Sequence, residues 1–310
     1  MRFEVTILGS NGALPGARRY PSAQFFRSES TDILVDCGEG TQMRLSQAAL
    51  GLGRVDHVLI SHLHGDHYFG LPGLLTSLAL TGRTRPLTLV SPPGLRQRIA
   101  PLLDLDRYDL RFPLSFRELA APSLTPVWRA DDLEILAFPL RHRVPTNGYL
   151  IRETFRQPNM RKEAISLHDI PWEAIPKIKA GGDYAGPTGT VVPHAELTVP
   201  APAPRSYGYC SDTAYFHELA EYVRGVDLLY HEATFLSDMA GEARDRGHST
   251  AAEAARIAQA AGAGKLLMGH FSARYPRSDA HQREARKIFP AAFAVADLQR
   301  YVVPYPGREE

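Results

Sequence analysis

Between Ser61 and His67 the chain reads SHLHGDH, so His62, His64, Asp66 and His67 fall within six residues, directly after the apolar run HVLI. Imidazole nitrogens and carboxylate oxygens are ligands for zinc and similar divalent ions, and a strand end followed by a tight turn lets several such side chains converge. At the His and Asp frequencies of this chain, the pattern H-x-H-x-D-H arises by chance in roughly one such chain per thousand. Two plainer readings compete: a strand-end cluster satisfied by hydrogen bonds alone, and a closed structural zinc site made from these four residues. What decides between the readings is whether further ligands sit at other strand ends. His142 in FPLRHRVPTNGY, Asp212 in YGYCSDTAY and His270 in KLLMGHFSARY each follow an apolar run and precede a turn-like segment.

The elements that must position these residues are short. FEVTILG (3–9), DILVDCG (32–38), HVLIS (57–61), DLLYHEATF (227–235) and KLLMGH (265–270) read as strands. TQMRLSQAALG (41–51) reads as a helix closed by glycine, and TAAEAARIAQAAGAG (250–264) as another, capped at Ser249 or Thr250. Strands alternating with helices imply an α/β layered domain. From Glu153 to Arg205, prolines and glycines interrupt the pattern, which marks residues 153–205 as an inserted arm or lid on one domain covering 1–310. Trp172 and Tyr184 in this segment could stack on RNA, but burying an amphipathic turn is the more ordinary use of both.

Composition bounds the rest. At 310 residues, 44% hydrophobic and 22% charged, the chain is an ordinary globular protein with enough length for a sizeable core. No apolar run approaches membrane-spanning length, and MRFEVTILGSNG has a strand pattern rather than signal-peptide architecture, so a cytoplasmic protein without a membrane partner is expected. Two cysteines, Cys37 and Cys210, make no disulfide framework and read as small buried apolar residues. A net charge of +1 excludes a general polyanion binder, although residues 141–162 hold six basic residues against one acidic residue, Glu153. With 30 Arg and only 5 Lys in the chain, that local excess fits a basic surface and a solvated arginine-rich loop equally well.

The motifs together resemble the metallo-β-lactamase superfamily and, within it, the ribonuclease Z family of tRNA 3′-processing endonucleases. LGSNGALP (8–15), DCGEGTQ (36–42), SHLHGDH (61–67), CSDT (210–213), HEATF (231–235), GHST (247–250) and GHFSARY (269–275) follow the family's order and cover nearly the whole chain. The resemblance implies a four-layer αβ/βα sandwich of two mixed sheets with outer helices. It also implies two metal ions, zinc or another divalent ion such as manganese. His62, His64 and His142 would hold one ion, Asp66, His67 and His270 the other, and Asp212 would bridge them. Two ions about 4 Å apart lower the pKa of a shared water and hold the attacking and leaving oxygens of a phosphodiester.

Asp66 could further orient or deprotonate that water. His248, in GHST, is the candidate proton donor to the leaving ribose 3′ oxygen, with Glu232 holding its imidazole. Arg274 is a candidate for substrate phosphate. Asp36 is of a type suited to orient a ligand histidine from behind, and His231 reads as structural. No role is assigned to His57, His168, His194, His217 or His281.

The implied activity is cleavage of tRNA precursors after the discriminator base, leaving a tRNA 3′ hydroxyl, by a homodimer whose arm grips precursor tRNA. The arm segment lacks the compact Gly-Pro-rich hairpin expected in that family. A small-molecule hydrolase of the same fold, such as a cyclic-nucleotide phosphodiesterase, arylsulfatase or lactonase, would share every metal ligand, and only the arm, GHST and HEATF favour RNA. A flavo-diiron protein would carry glutamate where His64 stands. A non-catalytic RNA-binding module would not need all seven ligand positions filled.

Overall fold

A computed structural model describes residues 2–305, except 17, 18, 106, 108, 109, 155, 156, 188 and 202. The chain divides into two compact units, residues 1–152 with 205–303, and residues 153–204 with 304–310.

The larger unit is built on strands that are apolar on both faces, as strands covered on both sides must be. Phe3, Val5, Ile7, Phe26, Ile33 and Val35 enter one core, while Leu8, Phe25 and Leu34 from the same strands enter another. The first sheet has seven strands in the order Arg300–Val302, Phe3–Gly9, Ala23–Ser28, Asp32–Cys37, Val55–Leu59, Leu87–Ser91 and Leu114–Glu118. Its pairing is antiparallel as far as Asp32–Cys37 and parallel beyond. The second also has seven, in the order Ala292–Ala294, Lys265–Gly269, Leu228–Glu232, Ser206–Cys210, Thr146–Glu153, Leu133–Leu140 and Thr125–Arg129. It too mixes parallel and antiparallel pairs.

Residues of both sheets share one core, with Phe26, Ile33 and Leu59 from the first meeting Tyr149, Tyr207, Tyr209 and Leu267 from the second. The outer face of the first sheet packs on Leu71, Leu74, Leu75 and Ile99 of helices Leu71–Leu80 and Leu95–Leu102. The outer face of the second packs on the alanine-rich helix Ala251–Ala261. Helix, sheet, sheet and helix therefore form the four layers of a metallo-β-lactamase sandwich.

Local chemistry accounts for the element ends. Thr250 and Glu253 form a reciprocal capping box that starts Ala251–Ala261, and Gly262 ends it with φ 64°. The expected helix over 41–51 stops at Gln47 instead, because Ala48 caps it and Ala49 turns left-handed with φ 52° before Gly51 is reached. Among the described residues, no helix is long and apolar enough to cross a membrane.

The smaller unit has its own small core of Ala164, Ile170, Ile178, Tyr184, Val192 and Leu197. Helices Lys162–Leu167, Ile175–Lys179 and His194–Leu197 and two two-stranded ribbons surround it. Two expectations are corrected here. A hairpin does form, with Tyr184–Ala185 pairing antiparallel to Val191–Val192 around Gly186 and Gly189, whose φ of 80° suits glycine in a tight turn. Tyr184 is buried as expected, but Trp172 is 76% exposed, because its short 3₁₀ turn, Trp172–Ala174, buries none of its residues.

One histidine without an assigned role has a measurable consequence for the fold. His281 is fully buried between Phe271 and Tyr275, at 4.8 and 4.7 Å, and neither ring nitrogen has a hydrogen-bond partner among the described residues. Burial, aided by the charge of Arg19, pushes its pKa down to about 4. Below its ordinary value of 6.5 the unfolded chain takes up a proton that the folded chain refuses until about pH 4, so stability falls with pH across that window. Denaturant titrations should show His281→Phe flattening this acid-side loss by up to about 3 kcal/mol relative to the parent protein.

Candidate metal centre

Seven donors converge from the ends of strands in both sheets. Strand Val55–Leu59 of the first sheet leads into Ser61 and His62; His64 is extended, and the single turn Gly65–Tyr68 carries Asp66 and His67. From the second sheet, His142 follows Leu133–Leu140, Asp212 follows Ser206–Cys210, and His270 follows Lys265–Gly269. The backbone of His270 is left-handed, with φ 57°. Two glycines make room for the rings. A Cβ on Gly12 would sit 2.8 Å from the His270 ring, and one on Gly247 would sit 2.9 Å from His142 Nδ1.

Ligand-type atoms fall into mutually close groups: His62, His64, His142 and Asp212; Asp66, His67 and His270; and Asp212, His248 and His270. Asp212 divides its carboxylate between the first two groups. Oδ2 lies 3.6 Å from His62 Nε2 and 3.8 Å from His142 Nε2, while Oδ1 lies 3.4 Å from His67 Nε2 and 3.2 Å from His270 Nε2. His64 Nδ1 is 3.0 Å from His62 Nε2 and 3.2 Å from His142 Nε2. Asp66 Oδ2 is 3.4 Å from both His67 Nε2 and His270 Nε2.

These separations test the fit to metal. Atoms tetrahedrally disposed about 2.1 Å from one centre lie about 3.4 Å apart, which matches the spacing of both groups. Asp212 Oδ1 and His67 Nε2 are buried and have no hydrogen-bond partner among the described residues, as donors aimed at an ion would be. Burial and the neighbouring imidazoles hold His62 well below its ordinary pKa, and burial with His142 beside it lowers His64, which keeps their nitrogens free to coordinate. Burial would raise Asp66, but His67 and His270 beside it keep its carboxyl well below the usual carboxylate range.

The far side of each ring is also fixed. His142 Nδ1 donates to Gly247 O at 2.7 Å, His67 Nδ1 lies 2.8 Å from Asp36 Oδ2, and His270 Nδ1 lies 2.9 Å from Thr234 Oγ1. A proton held at Nδ1 leaves Nε2 with its lone pair directed inward. Asp66 Oδ2 accepts from Ala13 N at 2.7 Å.

Glu232 is fully buried and shared. Oε1 accepts from Thr213 N and lies 2.8 Å from His248 Nδ1, while Oε2 accepts from Thr234 N and Oγ1. Burial disfavours charge on His248, but Glu232 beside it holds the imidazole above its ordinary range. Arg274 is exposed, its guanidinium 5.0 Å over the Phe235 ring, whose own centroid is 6.1 Å from that of His248. His231 is buried with Nδ1 donating to Glu232 O. His57 packs at a tilt against Trp128, and His168 and His194 belong to the smaller unit.

Sequence reasoning missed Ala13, Thr234 and Gly247. The signals were faint: glycines at 12 and 247 beside motif residues, where a ring approaches the backbone.

Residues 192–271 match the family model for a beta-lactamase superfamily domain, and residues 3–102 match that for the anti-Pycsar protein Apyc1. The chain is 39% identical over 289 residues to the ribonuclease Z of Bacteroides fragilis (strain YCH46), covering 93% of this chain and 95% of that one. It is likewise 39% identical over 298 residues to the ribonuclease Z of Porphyromonas gingivalis (strain W83), covering 96% and 98%. The chain belongs to the ribonuclease Z family. The crystal structure of the short form of human tRNase Z superposes with a TM-score of 0.70 at 26% identity, covering 97% of this chain and 99% of that one. The metallo-β-lactamase fold protein YhfI from Bacillus subtilis superposes with a TM-score of 0.68 at 21% identity, covering 97% and 99%, and shares the fold. Membership of the ribonuclease Z family accords with a donor cluster suited to divalent ions.

Binding to the folded state alone raises stability by mass action. Protein stripped with chelator should therefore melt at lower temperature than protein given zinc or manganese. Asp212→Asn, which weakens an oxygen presented to both groups, should shrink that difference in a thermal scan.

Proposed function

We propose that the chain is a metal-dependent endoribonuclease that cuts tRNA precursors after the discriminator base, leaving a 3′ hydroxyl on the tRNA and removing the 3′ trailer. The observation that carries this reading is Asp212 dividing its two oxygens between two donor groups, with the His248–Glu232 pair beside it, in a ribonuclease Z chain. His62, His64 and His142 would hold one ion, Asp66, His67 and His270 the other, and Asp212 would share both. Divalent ions so held, zinc or manganese, supply Lewis acidity to a water and to the phosphate oxygens.

The protein's own groups then divide the remaining work. Asp66, fixed by the Ala13 N–H, is a ligand that also orients the attacking water. Glu232 keeps the Nδ1 proton of His248 in place, so that Nε2 carries the proton given to the leaving 3′ oxygen. Arg274, held over Phe235, meets substrate phosphate. The smaller unit docks the body of the precursor. Within residues 153–204 the five basic residues do not outnumber the six acidic ones, but Arg161 and Lys179 line one cavity of about 760 Å³ together with His194 and Thr198, which concentrates positive charge where a phosphate backbone could lie. The active form is taken as a cytoplasmic homodimer.

The deciding experiment is incubation of the zinc- or manganese-loaded protein with a 3′-extended tRNA precursor, mapping the product ends. A single cut after the discriminator base, lost in His64→Ala, is expected. A precursor left whole while bis(p-nitrophenyl) phosphate is hydrolysed would move the substrate to a small diester.

His248→Ala should lower kcat on the precursor about 10²–10⁴-fold. It should cost far less on bis(p-nitrophenyl) phosphate, whose leaving group needs no proton. Arg161→Ala with Lys179→Ala should raise KM for the precursor, leave kcat nearly unchanged and flatten the salt dependence of binding, as fluorescence anisotropy would measure.

A further inference from the structure

The Asp36 carboxylate ties together groups from both sheets. The Asp36 backbone, one residue before the end of strand Asp32–Cys37, is left-handed with φ 56°, which costs a non-glycine residue about 1–3 kcal/mol unless its surroundings fix it. Those surroundings are four donors. Oδ1 accepts from Ser61 N at 2.7 Å, while Oδ2 takes Ser61 Oγ at 2.9 Å, His67 Nδ1 at 2.8 Å and the Tyr209 hydroxyl at 2.6 Å. Ser61 and His67 come from the same sheet as Asp36, whereas Tyr209 reaches across from strand Ser206–Cys210 of the other. Asp36, Ser61 and His67 are fully buried and Tyr209 is 1% exposed. The Tyr209 ring is itself held, stacked on Tyr230 at 5.1 Å with 16° between planes.

We propose that Tyr209 is a positioning residue for the donor group of Asp66, His67 and His270. Its hydroxyl, donating to Asp36 from the facing sheet, fixes the plane of the carboxylate that aims His67 Nε2 at Asp212 and Asp66. This rests on the reading that these residues hold a divalent ion, and not on the choice of RNA as substrate. The effect is selective because Asp36 bonds His67 directly. Among the described residues His62 makes no hydrogen bond to Asp36 and joins its hydrogen-bond network through Ser61 Oγ, 3.1 Å from its Nδ1, while its ring packs 4.1 Å from that of His67. Ser61 keeps its own backbone bond to Asp36 and a second cross-sheet partner, Ser211 Oγ at 2.9 Å. Loss of the tyrosine hydroxyl therefore loosens the His67 side and spares the His62 side.

Tyr209→Phe removes the oxygen and keeps the ring. Tyr207→Phe is the control: that residue lies on the same strand in the same inter-sheet core, is equally buried, and gives its hydroxyl to Gln24, away from every donor of the centre. Metal-stripped proteins are titrated with zinc against a chromophoric chelator, and the melting temperatures of the stripped forms are recorded alongside. The expected result is that one zinc affinity of Tyr209→Phe falls about 10–100-fold while the other stays at the parent value. Tyr207→Phe should keep both, with a comparable change in melting temperature.

Parent-like binding by Tyr209→Phe would overturn the proposal. So would an equal loss at both sites, which would mark a general structural effect, or a parent protein that takes up only one zinc. A protein that shows the selective loss yet leaves tRNA precursors whole would keep this inference and lose the proposed substrate.

Discussion

A single carboxylate, that of Asp212, must offer one oxygen to each of two donor groups, and much of the architecture follows from that requirement. Oδ2 faces His62 and His142 while Oδ1 faces His67 and His270. Asp212 belongs to the second sheet, and His62 and His67 to the first, so the two sheets must meet at a fixed spacing. The inter-sheet core supplies it. Tyr149, Tyr207, Tyr209 and Tyr230 fill the layer with large flat rings, and three of their hydroxyls cross to the facing sheet, Tyr149 to Ile60 O at 2.8 Å, Tyr207 to Gln24 Oε1 and Tyr209 to Asp36. Apolar packing sets the distance and the hydroxyls set the register, since a buried tyrosine oxygen must find a partner.

Holding so many like donors within a few ångströms is unfavourable without an ion, and the cluster is correspondingly over-determined. His67, His142 and His270 are each held at Nδ1 by a different kind of acceptor: a carboxylate, a carbonyl and a hydroxyl. Asp36 and His270 adopt left-handed backbones that neither residue would choose in isolation. Such strain persists where the surrounding structure fixes it, and here three apolar clusters in two sheets and their outer helices do so.

What the sequence made legible is what local pattern encodes. SHLHGDH announced its own chemistry because four donors occupy one turn, and the strands carrying His62, Asp212 and His270 stood out as short apolar runs. The cap of the alanine-rich helix could be placed at Ser249 or Thr250, and Thr250 holds it. The partners joining distant segments were not legible: Ala13 to Asp66 spans 53 residues and Tyr209 to Asp36 spans 173, and neither residue type signals such a role. The helix from Thr41 was read too long because an alanine, not the glycine, takes the left-handed turn. Trp172 was misjudged for a related reason, since amphipathic spacing within one short turn does not say whether anything covers it.

Two carboxylate–imidazole pairs in the centre look alike yet suit different work. Asp36 meets His67 at Nδ1, and Glu232 meets His248 at Nδ1, both at 2.8 Å. The difference lies on the other side of each ring. His67 Nε2 faces two more carboxylates, Asp66 and Asp212, at 3.4 Å, which makes it an inward-facing ligand. His248 instead turns Nδ1 to Asp212 Oδ2 as well, at 3.8 Å, and its side chain is 12% exposed. Glu232 also reaches His270 through Thr234, with bonds of 2.6 and 2.9 Å. One buried carboxylate thus couples the orientations of two rings, His248 directly and His270 through Thr234.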